Sequence, residues 1–287
     1  MFVLLYNTVN MKRFLLTILS VALCVMLIIF SGCDALLGGI QLPSLGGGKP
    51  QGGTPHQSAA GIPDRLTAEE EKIVRFSDGA PINMQVSNGY ANAAPFDCLW
   101  SSSCVQLQGD RLLMSVTEGV NYSRGREYKY MGAECRTWSS DYSYGFYSVS
   151  MKAAKCSGVI SSFFTYTNRG GWDEIDIEFL GKDTTGIQLN YYTNGVGGHE
   201  FWYELGFDGA DDFHEYAFLW LADSITWYVD GKAVYRATDS IPTRPTQIMM
   251  NVWNCSGADD WSGKFNPNAL PATAQYQWIG YSAAEAA

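Results

Sequence analysis

Residues 172–181 read Trp-Asp-Glu-Ile-Asp-Ile-Glu-Phe-Leu-Gly, in which acidic and apolar side chains alternate. Side chains on a β-strand point alternately to its two faces, so the pattern predicts a strand with one apolar and one acidic face. The apolar face, which must lie against a core, carries Ile175, Ile177 and Phe179. The acidic face carries Glu174, Asp176 and Glu178. Three carboxylates in a row repel one another, an arrangement that sheets usually avoid by mixing charges.

The acidic face has two interpretations, a solvated outer surface or a catalytic cluster. Its flanks are aromatic, and the first basic residue after it is Lys182, which is unusual for an outer surface. Close carboxylates push their pKa values apart, so that one can act as a nucleophile and another as an acid in glycosidic bond cleavage. Retaining glycosidases hold the two carboxyl groups about 5 to 5.5 Å apart. Residues four apart on a strand have Cα atoms separated by roughly 13 Å, and residues two apart by roughly 6.7 Å. Both Glu174 with Glu178 and Asp176 with Glu178 therefore remain open as the pair.

Short apolar or alternating runs, separated by Gly, Asn, Asp and Pro, continue through the chain beyond residue 76. They predict strands over residues 111–117, 145–152, 159–167, 175–180, 187–192, 215–220, 224–229 and 247–253. Asp230-Gly231 falls between two such runs and is a strong hairpin signal. No segment keeps an apolar period of 3.6 residues over three turns. The pattern predicts an all-β protein, an antiparallel sandwich or jelly roll of two curved sheets with a concave groove.

The composition of the 287-residue chain excludes several classes of protein. Hydrophobic residues make up 46 % and charged residues 17 %, which excludes a disordered or coiled-coil chain. The formal net charge of −10 argues against a nucleic acid as partner. Aromatic residues make up 14 %, which is compatible both with a large β-sheet core and with a sugar-binding groove.

The N-terminal region predicts export and a tether. Lys12 and Arg13 precede an apolar run over residues 14–30, and small residues follow it before Cys33, as in a secretory signal. The pattern resembles a bacterial lipobox, in which Cys33 is lipidated. The alternative is an uncleaved membrane anchor, since the 17-residue run is near the minimum length for a membrane span. Both place the rest of the chain outside the cytoplasmic membrane. The predicted regions are a signal peptide over 1–32, a flexible Gly/Pro-rich tether over 33–75 and a β-domain over 76–287.

The cysteines and histidines predict disulfides and no metal cofactor. Five of the 7 cysteines lie in the predicted domain: Cys98, Cys104, Cys135, Cys156 and Cys255. In an oxidising compartment they predict one or two disulfides, with at least one thiol left over. No pair has zinc-ligand spacing and the 3 histidines are scattered, so a metal-dependent hydrolase is not expected.

The acidic strand and the blocks around it resemble glycoside hydrolase family 16, and within it the bacterial lichenases, which are endo-β-1,3-1,4-glucanases. The likeness covers nearly all of residues 90–281, and its blocks lie at 161–166, 172–185, 190–198, 227–231 and 249–254. It implies a β-jelly roll with the acidic strand in the middle of the groove, and a retaining double displacement. Carried over by position, Glu174 is the nucleophile, Glu178 the general acid/base and Asp176 the residue that assists between them.

The resemblance also implies which residues bind glucan. Aromatic faces stack on pyranose rings, and polar side chains read the hydroxyl groups. The implied substrate-binding residues are Tyr90, Asn92, Glu134, Arg136, Phe164, Tyr166, Trp172, Asn190, Tyr192, Asn251, Trp253 and Trp261. For Phe164 and Tyr192, which lie in apolar strands, core packing is an equal alternative.

The chain departs from the family pattern at three positions. Lichenases with a disulfide pair the cysteine that matches Cys98 with one that falls on Gly132 here, so that bridge cannot form; Cys135, Cys104 or Cys156 are substitutes. The aspartate commonly used for a structural calcium matches Gln277, and because an amide is a weaker ligand than a carboxylate, calcium is not expected here. Cys255 stands where a small residue is usual.

The resemblance implies hydrolysis of mixed-linkage β-1,3-1,4-glucan by a monomer that meets a membrane only through its N-terminal lipid anchor. The alternatives within the family are enzymes active on β-1,3-glucan, which usually have one more residue between the Asp and the second Glu, and on xyloglucan. A lectin-like glucan-binding module is an alternative of a different class, since the same sandwich supports binding without catalysis. The self-repelling acids count against it.

Overall fold

The computed structural model describes residues 74–76 and 83–284. The predicted signal peptide, Cys33 and nearly all of the predicted tether lie outside the described residues. The described residues form β-strands, one short α-helix and two 3₁₀ turns. The strands are β1 (Val74–Arg75), β2 (Gln85–Val86), β3 (Leu99–Trp100), β4 (Val105–Gln108), β5 (Arg111–Ser123), β6 (Arg126–Arg136), β7 (Gly145–Lys152), β8 (Val159–Thr167), β9 (Asp173–Leu180), β10 (Gly186–Tyr192), β11 (Phe201–Glu204), β12 (His214–Trp220), β13 (Ile225–Val229), β14 (Lys232–Ala237), β15 (Gln247–Asn254) and β16 (Ala272–Ala283), and the helix α1 is Asp259–Ser262.

The strands pair in the order β11-β10-β9-β8-β15-β6-β5-β16-β7-β12-β13-β14. The long hairpin of β5 and β6 joins the two halves of this path, which pack against each other as two layers. Phe163 of β8 contacts Phe218 of β12, and Phe179 of β9 meets Tyr216 of β12 edge to face. This architecture confirms the prediction of an all-β, jelly-roll sandwich of curved antiparallel sheets, and it places β9 in the interior of the first layer.

Each predicted strand corresponds to an observed one, although the predicted strand over 224–229 begins one residue before β13, and two of them, β7 and β8, have the predicted bounds. The Asp230-Gly231 turn is also as predicted: both residues have positive φ angles, +49° and +75°, as a two-residue type I′ hairpin requires. Among the strands longer than eight residues, the prediction missed β6 and β16. In β6, charged residues and Gly132 interrupt the apolar alternation, so its sequence alone does not indicate an 11-residue strand. β1 pairs Val74 with Ile279 and lies just before the predicted domain start at residue 76.

The core between the layers holds the apolar face of β9, where Ile175, Ile177 and Phe179 are fully buried. Trp227 of β13 closes the core beneath the acidic strand, and its indole N–H donates to the Asp176 carbonyl oxygen at 3.2 Å. A second, smaller cluster on the opposite face of the first layer includes Leu180. None of the helices among the described residues is long and apolar enough to cross a membrane.

Candidate active site

The three acids project together from the face of β9 that points away from the core. Ile175 and Ile177 between them are buried in the core, so the alternation predicted from the sequence is present in the structure. Asp176, in the middle, is only 4 % exposed, while Glu174 and Glu178 are half-buried. Two carboxyl groups therefore reach a ligand in the groove, with a third enclosed between them.

The neighbouring strands place polar and aromatic side chains in rows across this face. The register of β8, β9 and β10 gives three rows: Tyr166–Glu174–Tyr192, Phe164–Asp176–Asn190 and Ser162–Glu178–Gln188. Beyond β8, β15 adds Asn251 opposite Ser162, and β6 adds Glu134 opposite Asn251. An extended ligand that follows these rows crosses the strands and passes over the acids.

Each outer carboxylate has a neutral N–H donor as partner. The Trp172 indole N–H donates to Glu174 Oε2. The Gln188 amide Nε2 donates to Glu178 Oε2 at 3.0 Å, and the Trp261 indole N–H donates to Gln188 Oε1 at 2.9 Å. Because Trp261 occupies the oxygen of the Gln188 amide, the NH₂ group must face Glu178. Gln188 was missed in the sequence analysis, since only the register of β9 and β10 shows that it stands beside an acid.

Burial and mutual repulsion raise the pKa values of all three acids. Burial raises the pKa of Glu174 to about 7, against the hydrogen bonds from Trp172 and Asp176 that lower it. Burial and then the charge of Glu174 raise the pKa of Glu178 to about 8, while the Gln188 hydrogen bond lowers it. Burial raises the pKa of Asp176 well above its ordinary value, and the charges on both sides add to the effect. Near neutral pH the cluster can therefore hold one ionised and one protonated outer carboxyl group.

Asp173, at the start of β9, fixes two loops beside the groove. Its carboxylate is fully buried and accepts hydrogen bonds from the backbone N–H groups of Asn194, Thr243 and Arg244 and from the Arg244 guanidinium at 2.8 Å. Burial alone would raise the pKa of Asp173, but these donors hold it below its ordinary value. Gly171 lies against the same group, where a Cβ would approach Asn194 Oδ1 to 2.6 Å, and its φ of +146° also favours glycine. The role of Asp173 was not predicted.

The predicted polar residues on the far side of the groove are held in a network. Glu134 is 4 % exposed, and its Oε1 accepts hydrogen bonds from Ser87 Oγ at 2.5 Å and Tyr90 OH at 3.0 Å. Burial raises the pKa of Glu134 despite these donors. Arg136 donates to Gln85 at 3.3 Å. These contacts fix the positions of Tyr90, Glu134 and Arg136 before any ligand binds.

The side-chain oxygens of the predicted asparagines also accept hydrogen bonds. Asn92 Oδ1 accepts from the Trp100 indole at 3.2 Å, and Asn190 Oδ1 accepts from the Tyr191 backbone N–H at 2.8 Å. Asn251 Oδ1 accepts from Ser162 Oγ. The Nδ2 groups of Asn190 and Asn251 lie on the same face as the acids, where they can donate to a sugar hydroxyl.

The predicted aromatic residues divide into rim and floor. Trp172 and Tyr192 stack on each other with their ring centroids 4.5 Å apart, beside Glu174, and both are partly exposed. Phe164 and Trp253 are buried, and Trp253 packs against Phe96 with a centroid separation of 3.9 Å. Phe164 and Trp253 therefore form the floor of the groove. Tyr166 and Trp261 are partly exposed on the same face.

The five described cysteines are buried free thiols, so the prediction of one or two disulfides is wrong. Cys104 contacts Thr117 Oγ1 at 3.4 Å, and Cys156 contacts backbone carbonyl oxygens. Burial raises the pKa of the Cys98 thiol, and it raises that of Cys135 to about 12. Cys98 Sγ does face Gly132, where an added Cβ would lie 2.6 Å from it. The chain thus has a cysteine at only one of the two positions, 98 and 132, that a disulfide at this point would need.

Comparison with known proteins gives a consistent result. The family described as "Glycosyl hydrolases family 16" matches residues 92–280. The "Beta-glucanase" of Paenibacillus polymyxa is 48 % identical over 202 residues, which cover 69 % of this chain and 82 % of that protein. A prokaryotic beta-1,3-1,4-glucanase (lichenase) from a mouse hindgut metagenome is 44 % identical, with a TM-score of 0.68, over 72 % of this chain and 96 % of that one. The Bacillus licheniformis beta-glucanase is 43 % identical, with a TM-score of 0.67, over 76 % of this chain and 100 % of that one.

Proposed function

The chain belongs to glycosyl hydrolases family 16, and we propose that it is an endo-glucanase that hydrolyses mixed-linkage β-1,3-1,4-glucan with retention of anomeric configuration. The observation that carries the proposal is the acidic row of β9, in which Glu174 and Glu178 each have a neutral N–H partner. The relatives named beta-glucanase or lichenase support the choice of substrate. A neutral polymer also suits a chain with a net charge of −10.

In the first step Glu174 attacks the anomeric carbon while Glu178 donates its proton to the glycosidic oxygen, so that a glycosyl-enzyme ester forms and the reducing-end fragment leaves. In the second step Glu178, now ionised, takes a proton from water, and the resulting nucleophile breaks the ester and frees Glu174. The pKa values of about 7 and about 8 suit these starting states, since Glu174 loses its proton before Glu178 does. Asp176 hydrogen-bonds to Glu174 from the enclosed middle position.

The test is the release of new reducing ends from cereal β-glucan by the full chain and two variants. Glu174→Gln abolishes release because no nucleophile remains. Glu178→Gln also abolishes release from the polysaccharide, but it keeps the first step on an aryl glycoside whose leaving group needs no proton. Glu118→Gln, on an exposed part of β5, is the matched control and retains full activity. Undiminished release by Glu174→Gln or Glu178→Gln would contradict the assigned roles.

Assays of hydrolysis and binding on a panel of polysaccharides distinguish the alternative functions. A preference for laminarin or xyloglucan over lichenan would assign the chain to another specificity of the same family. Binding to glucan with no hydrolysis would favour the lectin-like module. Against such a module stands the electrostatic arrangement: a protein that only binds sugar gains nothing from raising the pKa values of three adjacent acids.

We propose that no structural calcium binds at the position that the resemblance implies. Gln277 Oε1 accepts a hydrogen bond from Ser150 Oγ at 2.8 Å, and Arg75 and Asp110 line the same small cavity. An engaged amide oxygen and a single carboxylate beside a guanidinium are a poor ligand set for a hard dication. We therefore expect the same melting temperature in EDTA and in excess calcium. A rise with calcium would contradict the proposal, because a ligand that binds only the folded state stabilises it.

We also propose that Cys33 carries a lipid and that the domain acts as a monomer outside the cytoplasmic membrane, tethered by the Gly/Pro-rich segment. The signal pattern before Cys33 supports this localisation. Cys33→Ser should abolish the incorporation of a labelled fatty acid into the protein, and unchanged incorporation would refute lipidation. Size-exclusion chromatography of the chain without residues 1–33 tests the oligomeric state.

A further inference from the structure

Trp138 is a large apolar side chain that lies open to solvent. It is 67 % exposed, and within the described residues it has no hydrogen-bond partner and no ring contact. Large aromatic side chains usually pack or stack, because their apolar faces are unfavourable in water. Single exposed apolar residues are nevertheless common, so exposure alone does not assign a role to Trp138.

The position of Trp138 relative to the groove is specific. It follows β6 by two residues, and Thr137 continues the pairing with β15: its backbone N–H donates to the Ile248 carbonyl oxygen at 2.9 Å, and its carbonyl accepts from Gln247 Nε2 at 2.8 Å. Ala133 and Cys135 of β6 lie in the core, and Glu134 and Arg136 lie on the other face. Continuing this alternation past the end of β6 assigns buried Thr137 to the core side and Trp138 to the side of Glu134 and Arg136.

The register of β6 and β15, continued two residues past its last pair, aligns Trp138 with a row that contains an acid. The last pair is Arg136 with Met249, so the continuation brings position 138 to Gln247, whose amide donates to the Thr137 carbonyl oxygen. Gln247 pairs with Tyr166, and Tyr166 pairs with Glu174. The path from β9 to β6 crosses three strand spacings, roughly 14 Å at about 4.8 Å each. One sugar unit of an extended glucan has a length comparable to one strand spacing.

We infer that Trp138 is a stacking platform for a glucosyl unit about three sugars away from the cleaved bond, which extends the groove beyond the residues assigned from the sequence. The inference rests on the proposed function. The occupant is the substrate itself, because the platform continues a row of the groove. A single exposed ring is too small for a protein interface.

The experiment measures oligosaccharide binding by calorimetry in a Glu174→Gln background of the full chain, where no substrate is consumed. Trp138→Ala should weaken the binding of a mixed-linkage oligosaccharide that spans the groove by about fivefold. A disaccharide is too short to reach from the acids to the platform, so its affinity should fall much less. Trp138→Phe should restore most of the affinity for the long ligand, because it keeps a flat ring.

The matched control is Tyr122→Ala. Tyr122 is also 67 % exposed, but it lies at the tip of the β5–β6 hairpin, roughly 30 Å along β6 from Arg136. Its loss should leave both affinities unchanged. Equal affinities of the Trp138→Ala protein and its parent for the long ligand would overturn the inference, and so would an equal loss for long and short ligands. The activity of the unmodified chain on cereal β-glucan is measured in parallel. If that chain is active and Trp138→Ala leaves the affinity for the long ligand unchanged, this inference alone is refuted. If that chain is inactive, the proposed function is refuted and the inference with it.

Discussion

Replacing Gln188 by methionine removes the N–H donor of Glu178 and keeps an unbranched side chain of similar length. The lost bond joins Gln188 Nε2 to Glu178 Oε2 over 3.0 Å. It lowers the pKa of Glu178, so its loss must raise that pKa further above the value of about 8. A hydrogen bond to a charged group contributes about 1.5 to 3 kcal/mol, and one pKa unit corresponds to about 1.4 kcal/mol. Water in the groove replaces part of the bond, so we expect an upward shift of about one unit.

The assay is the pH dependence of kcat/KM on cereal β-glucan, which reports the ionisation of the free enzyme. In the proposed mechanism Glu178 must hold its proton to act as an acid, so its pKa sets the alkaline limb, which moves to higher pH in Gln188→Met. Trp261→Phe keeps the amide but removes the indole N–H that orients it, and should move the same limb in the same direction by less. The reasoning fails if the alkaline limb of Gln188→Met is unchanged or moves to lower pH.

Three further predictions follow from the same contacts. The unmodified enzyme should show a narrow bell-shaped profile, with limbs set by the pKa values of about 7 and about 8 of the outer acids; a flat profile between pH 5 and 10 would contradict it. Arg244→Met leaves the buried Asp173 carboxylate with only backbone donors, so the free energy of unfolding in urea should fall by about 2 to 3 kcal/mol. Arg126→Met breaks the exposed ion pair with Asp97 and should change the free energy of unfolding by less than about 1 kcal/mol. Equal losses of stability in the Arg244→Met and Arg126→Met proteins would contradict the assigned difference. Gly132→Cys should form a disulfide with Cys98 and stabilise the protein by up to about 3 kcal/mol, detected by thiol titration and by melting with and without reductant. Gly132→Ala brings a Cβ against Cys98 Sγ with no bond to form and should destabilise the protein; two free thiols in the Gly132→Cys protein would refute the expected geometry.

The sequence was informative where a local rule determines the outcome. Alternation placed the acids of β9 on one face, and the Asp-Gly dipeptide determined the hairpin of β13 and β14. Both features depend on residues that are close in the chain. The β6 strand was missed because its stability comes from pairing with β5 and β15 on either side, which offsets a glycine and several charged residues.

The site residues that were missed depend on register and on loops that meet in space. Gln188 is 10 residues from Glu178 and resembles any polar strand residue until the pairing of β9 and β10 is known. Asp173 stands next to Glu174 in the sequence, yet its backbone partners come from residues 194, 243 and 244. The cysteine count gave the wrong answer for a related reason: the number of thiols contains no information on which of them the fold brings within bonding distance.

The raised pKa values that the proposed reaction needs also make the folded protein less stable as the pH rises. An isolated glutamate has a pKa near 4.5, whereas Glu174 and Glu178 in the folded protein have values of about 7 and about 8. Between these limits the folded state holds protons that the unfolded chain has released, so linkage requires the free energy of unfolding to decrease as pH rises from about 4.5 to about 8. The hydrogen bonds from Trp172 and Gln188 lower the two pKa values and so reduce this loss. They cannot remove it, because a cluster with ordinary pKa values would have no protonated acid at neutral pH.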